Sequence, residues 1–91
     1  MQNKFELKLN MQRLSRAIKS IEREEKLFYS AKSLWETSLK TKDVELSKKM
    51  FQRVEKRRDS WYKAIDDKMK LEQNIKVLEK KVIEDVLKEI M

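Results

Sequence analysis

The chain has 91 residues, with 23 Lys plus Arg against 16 Asp plus Glu, a formal net charge of +7, and no Gly, Pro, Cys or His. That length allows one small domain at most. Without Cys or His there is no disulfide, no thiolate nucleophile, no common zinc ligand set and no imidazole for acid–base work near neutral pH.

Charged residues make up 43% of the chain and apolar residues 40%. The composition is dominated by Lys, Glu, Leu, Met, Arg and Ile, which favour helix, and the residues that most often break helices are missing. A long helix or coiled coil is expected, and regular apolar spacing argues against disorder. The opening segment, Met1 to Leu9, lacks the apolar core of a signal peptide, and no run approaches the ~20 apolar residues that span a bilayer. Synthesis and folding in the cytoplasm are the expectation, without membrane insertion.

Along the first half, apolar residues recur at Leu7, Met11, Leu14, Ile18, Ile21, Phe28, Ala31, Trp35 and Leu39, with Glu25 interrupting the stripe. This spacing predicts a first helix over about 3–40, roughly 55 Å long. Between about 39 and 43 the chain gathers Thr41, Lys42 and Asp43, and Thr41 or Asp43 is placed to cap a following helix. With no Gly available, ordinary backbone angles are expected in this turn. One unbroken helix of ~90 residues is the alternative, since nothing in the composition forbids it.

The second stripe reads Val44, Ser47, Phe51, Val54, Arg58, Trp61, Ile65, Leu71, Ile75, Leu78, Val82, Val86 and Ile90, with a phase slip between Ile65 and Leu71. It predicts a second helix over about 43–90. The expected fold is therefore all-α, a single antiparallel two-helix hairpin. Folded about Thr41, the stripes pair Trp35 with Ser47, Ala31 with Phe51, Phe28 with Val54 and Ile21 with Trp61. Glu25 meets Arg58 at one level, a register-fixing ion pair.

In that register residues 82–91 have no facing partner on the first helix, although Val82, Ile83, Val86, Leu87 and Ile90 form a broad apolar face. Leu27 and Leu34 add an apolar face beside the first stripe, and Tyr62 sits at the edge of the second. A thin two-helix core leaves such residues to a partner, so either self-association or a helical binding protein is expected. A tail that simply frays in water is the alternative. Lys49, Arg53, Lys56 and Lys63 align as an outward basic stripe, which suits a phosphate backbone or an acidic protein, or is only a solvated face. No carboxylate pair or phosphate loop is present, and the reading is a protein-binding, non-enzymatic chain with no metal or cofactor.

The hairpin layout, Trp35 near the turn and Tyr62-Lys63-Ala64-Ile65-Asp66 as a Y-x-x-x-D pattern resemble the WXG-motif proteins of type VII secretion and the helical partners of LXG toxins. Trp35 is followed by Glu36-Thr37 where those proteins carry Gly, and the Tyr–Asp pair lies within the second helix. Val54-Glu55, Arg58, Ala64 and Leu71-Glu72 are spaced similarly to the second helix of the stalk proteins of type III export ATPases. Both resemblances imply a chaperone-like accessory of bacterial secretion, and the first implies export without a signal peptide.

Overall fold

The computed structural model describes residues 2–91. It is an all-α helical hairpin, α1 (Gln2–Leu39) and α2 (Val44–Ile90), joined by a turn. Contacts group the chain into two compact units. One is Lys19–Ile65 and contains the turn; the other joins residues up to Ile18 with Asp66–Met91. They are called here the turn unit and the terminal unit.

The turn is held by hydroxyl groups. Lys40 N–H donates to the Thr37 carbonyl and Thr41 N–H to that of Ser38, both at 3.1 Å, which tightens the last turn of α1. The Ser38 carbonyl also accepts the hydroxyls of Thr41 at 2.7 Å and Ser47 at 3.3 Å. Ser38 itself is buried and gives its hydroxyl to the Trp35 carbonyl at 2.6 Å. Asp43 caps α2, its Oδ1 accepting the Leu46 N–H at 3.1 Å. Lys42 has φ 61°. Ordinary angles were expected throughout the turn, but the reversal requires one left-handed residue, and without glycine Lys42 fills the position at a cost of about 1 kcal/mol.

In the turn unit the packing is aromatic. The rings of Trp35 and Phe51 lie 5.3 Å apart, as do those of Phe28 and Trp61. Val54 is buried, and Ile21, Ala31, Met50 and Ala64 are half-buried. In the terminal unit the packing is aliphatic: Ile75 and Leu78 are buried, with Leu7, Leu14, Leu71, Val82 and Val86 half-buried. Asn3 Nδ2 donates to Asp85 Oδ2 at 2.9 Å.

These contacts correct the expected pairing. Trp35 meets Phe51, one helical turn beyond Ser47, and Phe28 meets Trp61, two turns beyond Val54. Side chains on a helix lean toward its N-terminus, so those of α1 reach away from the turn and those of α2 reach toward it. Each residue of α1 therefore meets one farther along α2 than symmetric folding about Thr41 gives, and the lean, about one position on each helix, accounts for part of the shift. The expected overhang shrinks for the same reason: Asn3 reaches Asp85, and Val82 and Val86 are half-buried within the terminal unit.

The Glu25–Arg58 pair is not formed. Both residues are exposed, and Arg58 Nε lies 3.7 Å from Asp59 Oδ1 instead. The residue of α1 turned inward at this level is Glu24, whose Oε2 is shielded from solvent without a hydrogen-bond partner. On α2, Ala64 and Ile65 are half-buried in the turn unit, and Lys68, Leu71 and Glu72 in the terminal unit.

Candidate protein-binding face

The hairpin core is thin. Among the described residues, Val54, Ile75 and Leu78 are the buried apolar side chains, whereas Leu34, Phe51, Tyr62, Ile83, Leu87 and Ile90 are among those left exposed. The accessible surface is 7621 Å². A globular monomer of 11.1 kDa exposes roughly 5,700 Å². The excess, roughly 1,900 Å², is about twice the share of roughly 800 Å² that one partner contributes to a standard protein interface.

Where the candidate residues fall decides which of this surface is organised. In the turn unit, Leu27, Ala31 and Leu34 follow one another at i, i+4 and i+7 on α1 and form one wall of a groove of about 520 Å³. Met50 continues the apolar floor from α2, and Arg53, Lys56 and Arg57 line the opposite wall. Ala31 keeps the floor low between the two leucines, while Leu34 stands 56% exposed. All the charged side chains lining the groove are cations, and among the described residues no carboxylate pairs with them. The structure thus brings together Leu27, Leu34, Arg53 and Lys56, which the sequence reading had assigned to two separate features. Lys49 and Lys63 are exposed but do not line the groove.

A second groove, of about 630 Å³, lies at the turn between Leu39, Val44, Ser47 and Phe51. Its charges are mixed, Lys42 and Lys48 against Asp43 and Glu55. Tyr62 belongs to a different cluster. Its ring lies 6.0 Å from Trp61, which also touches Tyr29 at 6.1 Å, and both tyrosines are about half exposed. Trp61 Nε1, like Glu24 Oε2, is shielded without a partner. In the terminal unit, Ile83, Leu87 and Ile90 form an exposed stripe at i, i+4 and i+7, apart from the half-buried Val82 and Val86.

Ala31, Met50 and Arg57 do not stand out in the sequence as parts of one site. Ala31 was assigned to the core stripe, although its place midway between Leu27 and Leu34 is the signal for a groove floor. No helix among the described residues is long and apolar enough to cross a membrane. No family model, curated protein or solved structure matches this chain.

Proposed function

We propose that this chain is a non-catalytic, protein-binding helical hairpin, an adaptor or chaperone-like partner of another helical protein. The observation that supports it is the mismatch between core and surface: three buried apolar side chains against a much larger set of exposed ones, arranged in grooves and stripes. Surface of this kind is retained where a partner covers it. The resemblance to secretion hairpins narrows the proposal to a bacterial export accessory whose partner is a secreted substrate or a component of the export machine. Synthesis in the cytoplasm, with export without a signal peptide, belongs to the same proposal.

Affinity capture from the native host tests this reading. A helical protein, retained in fixed stoichiometry and insensitive to nuclease, is the expected result. Release of all bound material by nuclease would contradict it.

A second reading has its own support. Lys49, Arg53, Lys56 and Lys63 are all exposed on a chain of net charge +7, which suits a nucleic-acid backbone. Binding to random duplex DNA whose affinity falls steeply and log-linearly with salt would favour it over the first. A self-assembling scaffold is the third option, read from sedimentation mass.

A further inference from the structure

We infer that the groove of the turn unit is a docking site for an amphipathic helix whose apolar stripe is flanked by carboxylates, supplied by another protein. This inference rests on the protein-binding reading above and names its site and partner chemistry.

Three observations converge. The wall formed by Leu27, Ala31 and Leu34 extends over two turns of α1, about 10 Å, which matches two turns of a partner helix presenting anchors at i, i+3 or i+4, and i+7. Ala31 supplies the depression between the leucines; a larger side chain there would fill it. The opposite wall carries Arg53, Lys56 and Arg57, none of them in an ion pair among the described residues, so a partner lacking acids would leave three cations to lose hydration without compensation. An acidic flank supplies that compensation and steers the approach.

The same charge works against a second copy as the occupant. Each chain carries a net charge of +7, so two copies repel at long range, whereas an acidic helix is attracted. The groove at the turn carries no comparable argument, because its mixed charges select no partner.

The test uses the full chain and three synthetic helical peptides, read by fluorescence anisotropy. The first has a leucine stripe with glutamate flanks, the second has the same stripe with lysine flanks, and the third has glutamate flanks with serine replacing leucine. The first is expected to bind, and its affinity to weaken roughly tenfold as salt rises from low to physiological strength and beyond. The other two should not bind at comparable concentration. Leu34→Asp should weaken binding by roughly thirtyfold or more, and Arg53→Glu with Lys56→Glu by a similar factor. Ala31→Met keeps both apolarity and charge but fills the floor; because Ala31 also lies on the inner stripe, its stability is read by urea unfolding, and the expected result is that it weakens binding by more than any loss of stability explains.

Failure of the glutamate peptide to bind overturns the inference, as does binding that ignores Ala31→Met and the charge reversal. Concentration-dependent self-association that Leu34→Asp abolishes would make a second copy the occupant and overturn it too. These results leave the adaptor reading separately testable, because host capture of a helical protein would then have to use another face.

Discussion

The two units solve the same packing problem with different materials. The terminal unit closes on aliphatic side chains, with Ile75 and Leu78 buried and Leu7, Leu14 and Leu71 around them. The turn unit packs large rings, Trp35 on Phe51 and Phe28 on Trp61, on a face that also carries the small residues Ala31 and Ser38. The organised basic groove lies in the turn unit. The turn unit also holds two shielded polar atoms without partners, Glu24 Oε2 and Trp61 Nε1.

The largest expected effects come from removing one anchor from each unit. Trp61→Ala should cost about 3 kcal/mol and Ile75→Ala about 2 kcal/mol in urea unfolding, the ring losing more because it touches several others. Equal losses, or a larger one at Ile75, would break the comparison. Next is Glu24→Leu, which replaces an unpartnered inner carboxyl by an apolar group and should stabilise the chain by about 1 kcal/mol. A loss of stability would show that Glu24 has a partner.

Two changes sharpen the account of the turn. Asp43→Ala removes the cap accepted from Leu46 N–H and should lower stability by about 1 kcal/mol. Lys42→Gly relieves the left-handed backbone and should raise the thermal midpoint, with a gain under about 1 kcal/mol because glycine also loosens the unfolded chain. The smallest effect is expected at Arg58→Glu, within about 0.5 kcal/mol, because the side chain is exposed and its neighbour Asp59 is a weak surface partner. A cost of several kcal/mol would restore the facing Glu25–Arg58 pair.

Much of the fold was legible in the sequence. Two stripes, a cluster of turn-forming residues between them and the absence of glycine and proline were enough for an all-α hairpin that reverses near Thr41. The register was not, because residue spacing along a stripe says nothing about the lean of each side chain toward its helix N-terminus. The choice of inner face also went partly astray. Hydrophobicity selects Met11, Ile18 and Leu39, and spacing adds Glu25, whereas Asn10, Ala17, Glu24 and Ser38 are the ones turned inward. A strict alternation of four and three was available: Asn3, Leu7, Asn10, Leu14, Ala17, Ile21, Glu24, Phe28, Ala31, Trp35, Ser38. Its alternate members are small or polar, which is what close approach of two helices needs opposite large residues. Hydrophobicity alone hides that pattern. The residues of the groove were legible singly, as an apolar face and a basic stripe. Their convergence was not, because it depends on which sides of the two helices the turn brings together.

The central claim is that the exposed apolar residues of the turn unit serve binding and not folding. It is tested most directly by Leu34→Asp, measured for urea unfolding and for capture of the host partner on the same preparation. The account predicts an unfolding free energy within about 0.5 kcal/mol of the parent, as for a surface position, together with loss of capture. An unfolded variant, or one that captures its partner as well as the parent does, would contradict it.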